Sequence, residues 1–265
     1  MRYHQLTKSF GNKEKNIKVD NMGKPKDVAE LLIAGYSPNE IAQELKISPS
    51  SAKIYLYQAV GHGFIRRSDI LFSINKKTRE LIEEYMNKYH INFWFDIYNT
   101  ANQNGILLNP IEVRIYMELR DERVALGDMY EDIHQIETNL HKSLKRYLMK
   151  KYGEDEKGWW RKGIPETVRI ELVRSYEDDE EPASEAYCYT TLIDLEKILN
   201  YNWSDLVNEL PKKVRANKKE ISSKIVRLNR IRNYVMHPVK GIDPSEQDFL
   251  FVREFKDFLE LDKWP

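Results

Sequence analysis

The sequence predicts a mainly α-helical chain with one short β-hairpin in its first third and a four-helix bundle at its end. Three observations carry this. Apolar residues recur at helical spacing over long stretches, as in Ile221, Ile225, Leu228, Ile231 and Val235. Ser37-Pro38, Ser48-Pro49 and Asn109-Pro110 each place a capping side chain before a proline in a first helical turn. Strand-like runs are confined to Phe64–Arg67 and Ile70–Ile74. At 265 residues the chain has room for one large or two modest domains. Its 41% hydrophobic content is dispersed, without an apolar run of transmembrane length or a signal-peptide core, so the expected location is the cytoplasm, with no membrane partner. The single cysteine, Cys188, excludes an internal disulfide and a cysteine-cluster metal site. No metal or cofactor is expected.

Charge is balanced, 42 basic against 42 acidic residues, so bulk electrostatics announces no nucleic-acid partner. Its distribution is uneven. The first 26 residues carry seven Lys and Arg against Glu14 and Asp20, and 1–25 reads as a basic flexible arm. Glu177 to Glu181 is an unbroken acidic run without the glycine of a calcium loop, and reads as an exposed loop.

From Lys26 the order is helix, capped helix, tight turn, capped helix. Val28, Leu31 and Leu32 line the first; Ile41, Ala42 and Leu45 the second; Ala52, Tyr55, Leu56 and Val60 the third. Gly61-His62-Gly63 ends the third helix, and the two strand-like runs around Ser68-Asp69 form the hairpin. Segment 26–74 resembles winged helix-turn-helix domains, in which the third helix enters the major groove and the wing touches the backbone. That resemblance would set Ser50, Ser51, Lys53, Ile54 and Tyr57 against DNA bases, with Arg66 and Arg67 near phosphate. Such domains also serve as protein-contact or dimerisation modules, and the reading face holds one lysine.

Segment 75–126 reads as a helical connector. Leu81, Ile82, Tyr85, Met86 and Tyr89 share a face, and Phe93, Trp94, Phe95 and Tyr98 form an aromatic patch read as core rather than a base-stacking platform. Gly127 marks an interruption before the last unit.

That unit, 127–265, begins with Ile133, Ile136, Leu140, Leu144 and Leu148 on a helix that also carries Glu137. Trp159-Trp160 follows, then a break with the acidic run, then a helix from Thr191 to Leu199 closed by Asn202-Trp203. The third helix ends in Arg232-Asn233-Tyr234-Val235-Met236-His237-Pro238, and the fourth carries Phe249, Val252, Phe255 and Phe258. In an ideal helix Arg232 and His237 stand roughly 140° apart at about 100° per residue. Pro238 turns His237 out of the helical path, so both side chains can serve one target. By itself the segment reads either as this site or as a helix C-cap in which the histidine meets the macrodipole.

The order of these features over about 128–262 closely resembles HEPN domains, helical bundles found in many RNases, and Arg232, Asn233 and His237 match the family's catalytic motif. The resemblance implies a metal-independent endoribonuclease, commonly a homodimer in which two motifs meet. An RNA strand supplies its own 2′-hydroxyl nucleophile, so the enzyme need only transfer protons and stabilise charge. His237 is then the general base or acid, Arg232 the phosphate ligand, Asn233 an orienting group and Lys240 a further phosphate contact. Products carry a 2′,3′-cyclic phosphate and a 5′-hydroxyl. Antiviral defence or a toxin-like stress response are the settings implied, with an antitoxin or activator as partner. Val239 stands where related toxins carry a modifiable tyrosine, which argues against that mode of control. The alternative is a non-catalytic, DNA-binding regulator whose last unit dimerises or binds a ligand or RNA.

Overall fold

Among the described residues the protein is built of helices, with no β-strand. The computed structural model describes residues 23–215, 218–237, 239 and 241–264; most of the basic arm, residues 1–22, lies outside them. The chain divides into two units between Asp128 and Met129.

The first unit holds α1 (Lys24–Ile33), α2 (Pro38–Glu44), α3 (Pro49–Gly61), α4 (Arg67–Ser73), α5 (Lys76–Tyr89), α6 (Trp94–Gln103) and α7 (Pro110–Asp121). Ser37 caps α2 in a reciprocal box: its own N–H donates to Glu40 Oε2 at 2.8 Å, and its hydroxyl accepts from Glu40 N at 3.4 Å. Ser48 caps α3 by accepting from Ser51 N at 3.0 Å. Between them Lys46 takes a left-handed φ of 52°, which makes the turn tight.

The expected hairpin is replaced by α4. Arg66 N donates to Asp69 Oδ2 at 2.7 Å, an N-terminal helix cap, and Ile70, Leu71 and Ile74 bury on one side at helical spacing. Their short apolar run suits a strand or a buried helix equally by pattern, and the Asp69 cap favours the helix. There is therefore no wing among the described residues.

Segment 75–126 is not a spacer. Ile82 of α5, Ile97 of α6, and Val113, Ile115 and Leu119 of α7 are fully buried in the same core as Val28, Ile41, Leu56 and Ile70. Each such side chain contributes about 1.5–3 kcal/mol relative to exposure, so helices α1 to α4 and helices α5 to α7 stabilise one another. The aromatic patch divides. Trp94 and Tyr98 pack on the core, whereas Phe93 and Phe95 are 53% and 46% exposed. The core reading of those two phenylalanines was incorrect, because the helical register of α6 gives the buried side to Ile97 and Ala101.

Helix α8 (Val124–Tyr152) runs through Gly127 without interruption. A mid-helix glycine costs about 1 kcal/mol relative to alanine, which the fully buried stripe of Ile133, Ile136, Leu140, Leu144 and Leu148 outweighs. A single π-type turn, Glu156–Trp160, follows. There a Cβ on Gly158 would collide with the carbonyl of Tyr152, so only glycine lets the chain fold back on α8. The turn buries Trp159 and Trp160 edge to face, 5.7 Å apart.

After α9 (Arg161–Gly163) the chain forms α10 (Glu166–Glu177), where only a break was expected. This helix buries just Val168 and Leu172, too sparse a stripe to stand out in the sequence. Next come a 3₁₀ turn (Ala186–Tyr189), α11 (Leu192–Tyr201), α12 (Trp203–Leu206), α13 (Lys212–Arg215), α14 (Lys218–Met236) and α15 (Glu246–Leu259). The fully buried Ile198, Ile221, Ile225, Leu228 and Ile231 pack α11 and α14 into the second core, with Phe249, Val252 and Phe255 of α15 nearly so. Phe258 is only half-buried and instead holds Lys224 over its ring at 4.0 Å. No helix among the described residues is long and apolar enough to cross a membrane.

Candidate active site

The apolar stripe of α14 fixes its rotation about its axis, and that rotation decides where its polar side chains go. With Ile225, Leu228 and Ile231 fully buried, Arg232 and Asn233 sit on the flanks, half-buried. The helix ends at Met236, and His237 lies just beyond it, exposed. Pro238 and Lys240 lie outside the described residues, so the kink at Pro238 and the phosphate contact at Lys240 have no structural description.

Arg232 is not a solvated surface charge. Its Nε lies 3.3 Å from Glu137 Oε1 on α8, with 35% and 23% of the two side chains exposed. That Nε is buried yet not aligned to donate a hydrogen bond, so the contact is an ion pair. Burial pushes the Glu137 carboxyl above its ordinary range, and attraction to Arg232 and to His134 draws it part of the way back. His134 stands one turn before Glu137 on α8, stacked on Tyr130 with ring centroids 6.4 Å apart and planes 6° from parallel. No side-chain hydrogen bond or ion pair engages Asn233 or His237 among the described residues.

The arrangement therefore couples two helices. A carboxylate on α8 faces the guanidinium Nε of Arg232 on α14, and an exposed imidazole lies just past the end of α14, five residues on from Arg232. Such a cation can present its terminal N–H groups to a phosphate while its Nε faces a carboxylate. Glu137 was visible in the sequence only as a residue of the first helix. Its spacing from His134 and His141, three and four residues, marks a polar row beside the apolar stripe and was the available signal.

Two clefts flank α8. One, of about 330 Å³, lies between Gln135, Ile136 and Asn139 and the chain from Lys256 to Lys263. The other, of about 600 Å³, runs along His141 to Lys150. Neither is lined by Arg232 or His237.

In the first unit the residues expected at DNA are mostly engaged elsewhere. Lys53 pairs with Glu118 of α7 and is 17% exposed, and Tyr57 donates to Glu118 Oε2 at 3.4 Å. Arg67 pairs with Glu122, and Lys53 and Arg67 both approach the Tyr57 ring, at 5.6 and 5.8 Å. Burial opposes the Glu118 charge, but hydrogen bonds from Lys53 and Arg114 hold its carboxyl below the usual range. Burial raises the Tyr57 phenol, with Glu118 adding to the effect. Arg66 also has partners within the fold. Ser50 and Ile54 remain exposed, and Ser51 shares a 2.8 Å hydrogen bond with Ser48. Lys53 and Tyr57 meet Glu118 of α7, and Arg67 meets Glu122 just after it, two acidic residues that lie outside 26–74.

The chain matches no family model, no curated protein and no solved structure.

Proposed function

We propose that the unit from Met129 onward is an endoribonuclease of HEPN type, acting without a metal ion and working as a homodimer in which two Arg232–His237 motifs share a cleft. The observation that carries this reading is the Glu137–Arg232 pair. A half-buried guanidinium paired at its Nε with a carboxylate, five residues before an exposed and unengaged histidine, is an arrangement a helix cap does not require.

In this mechanism the phosphate oxygens of the scissile bond rest on Arg232, which stabilises the charge that builds on them. His237 takes the proton from the 2′-hydroxyl as its oxygen bonds to phosphorus. The P–O5′ bond breaks as the leaving oxygen is protonated by the partner's copy of the motif. Asn233 orients the phosphate. The products are a 2′,3′-cyclic phosphate and a 5′-hydroxyl. The attacking and leaving oxygens lie on opposite sides of phosphorus, and a second imidazole from the partner's copy of the motif serves the side that one His237 does not reach, which is the chemical reason for a dimer.

The test is incubation of the full-length protein with single-stranded RNA in chelator, with Arg232→Ala and His237→Ala in parallel. Cleavage by the parent that both variants lose supports the assignment; equal cleavage by all three, or none by any, overturns it. The second reading, a DNA-binding regulator, has less support, because Lys53, Tyr57 and Arg67 are turned to α7 and Glu122.

A further inference from the structure

The cleft along α8 from His141 to Lys150 has a composition that the Arg232 site does not explain. Lys142, Lys145, Arg146 and Lys150 line it against two carboxylates, Glu154 and Glu185. Lys145 is paired with Glu185 and lies 5.1 Å over the Trp159 ring, so it is fixed against the wall. Lys150 is paired at 2.7 Å with Glu209 and is 66% exposed, a loose surface pair. Lys142 and Arg146 are exposed, and neither is paired with a carboxylate among the described residues; Arg146 donates only to Ser143 Oγ, at 3.2 Å. The wall beneath is rigid. His141 and Tyr187 pack with ring centroids 4.3 Å apart, joined by two 3.1 Å hydrogen bonds, and Tyr187 meets Trp159 edge to face at 5.5 Å.

The spacing is as informative as the charge. Lys142, Arg146 and Lys150 are each four residues apart, which sets cations in a row at steps of about 6 Å along the helix. The adjacent row on α8 runs from Glu137 through His141 to Lys145, so the cleft opens one turn beyond the carboxylate that faces Arg232.

We infer that this cleft binds the phosphates of a single-stranded RNA next to the position held by Arg232, with Lys142 and Arg146 as the contacting cations. The volume of about 600 Å³ suits a few nucleotides of one strand rather than a duplex, and a charged groove on a rigid wall tracks a backbone without reading its bases. The assignment of the strand as substrate rests on the ribonuclease reading; the binding itself does not.

The experiment measures binding, not cleavage. In full-length protein carrying His237→Ala, the affinity for a short labelled single-stranded oligoribonucleotide is followed by fluorescence anisotropy over a salt series. Adding Lys142→Glu and Arg146→Glu is expected to weaken binding by about tenfold or more and to make the log–log salt slope shallower by about 1.4, at about 0.7 per lost contact. The same change in net charge at the exposed Lys76 and Lys77 of the other unit leaves affinity and slope unchanged. Thermal unfolding of each variant checks that the fold is intact, and Lys142→Gln with Arg146→Gln gives a milder form of the same loss. Unchanged affinity in the cleft variants, an equal loss in the Lys76 and Lys77 control, or no binding by the His237→Ala protein overturns the proposal; the first of these leaves an acidic protein segment as the better occupant. Salt-dependent binding through the cleft together with no cleavage by the parent would instead sink the ribonuclease reading and leave this one standing.

Discussion

Replacing Glu137 by glutamine separates what this carboxylate does for the fold from what it does for Arg232. The side chain is 23% exposed and its Oε1 lies 3.3 Å from Arg232 Nε. Burial raises its proton affinity in the folded state by more than Arg232 and His134 lower it. The folded pKa is therefore above the unfolded one. The stability this group contributes is present below the unfolded value, about 4.3, and is lost as pH rises through the folded pKa. At neutral pH the ionised Glu137 thus costs stability, and an uncharged isostere does not carry that cost. Removing one member of a fully buried pair destabilises because the other charge is left unpaired, but the Arg232 side chain is 35% exposed and keeps contact with water, so the relief of uncharging Glu137 sets the sign. With both side chains partly exposed, solvent screening brings the expectation here to about 1 kcal/mol or less. In melting temperature that is up to about 3 °C for a unit of this size. Activity moves the other way: a guanidinium misplaced by about 1 Å costs on the order of a hundredfold in rate. The assay is thermal unfolding of parent and Glu137→Gln at about pH 4 and about pH 7, with RNA cleavage at the higher pH. The variant should match the parent in acid, equal or exceed it in stability at neutral pH, and cleave far more slowly. A variant clearly less stable than the parent at neutral pH, or one that cleaves at the parent's rate, refutes the reasoning.

Asn202→Ala should cost about 2–3 kcal/mol. Asn202 is 2% exposed, donates to the Gly163 and Ile198 carbonyls at 2.8 Å and accepts from Tyr152 Oη at 3.0 Å, and urea unfolding measures the loss. Glu118→Ala leaves Lys53 and Tyr57 without their shared partner and should destabilise the protein by about 1 kcal/mol after allowance for partial exposure, again by urea unfolding. Burial holds the His141 imidazole below its ordinary value, with a partial offset from the Tyr187 carbonyl. Its contribution is therefore complete above the unfolded pKa of about 6.5 and declines as pH falls below it. In His141→Gln that part of the pH dependence disappears, which a stability–pH series reads directly.

Much of the helical frame was legible because its signals are local and strong. Ser37, Ser48 and Asn109 cap the helices that follow them, and the stripes on α8, α11 and α14 are long enough to fix both helix and buried face. Where the pattern was short it misled. Ile70–Ile74 is five residues long and fits two periods, and α10 buries only two side chains. What 75–126 packs against was not legible either: periodicity tells which face is buried but not against what, and α7 supplies both core side chains and the Glu118 that engages Lys53. The candidate site was legible on α14, where arginine, asparagine and histidine are neighbours in sequence. Its other half was not, because Glu137 precedes Arg232 by 95 positions and only the packing of α8 against α14 brings them together.

Joint action of Arg232 and His237 on one RNA phosphate would be written in the chemistry of the product ends. RNA treated in chelator with the parent protein should carry 2′,3′-cyclic phosphate and 5′-hydroxyl ends, and both Arg232→Ala and His237→Ala should abolish them. Undiminished cleavage by either variant, or products with a 5′-phosphate, would contradict the account.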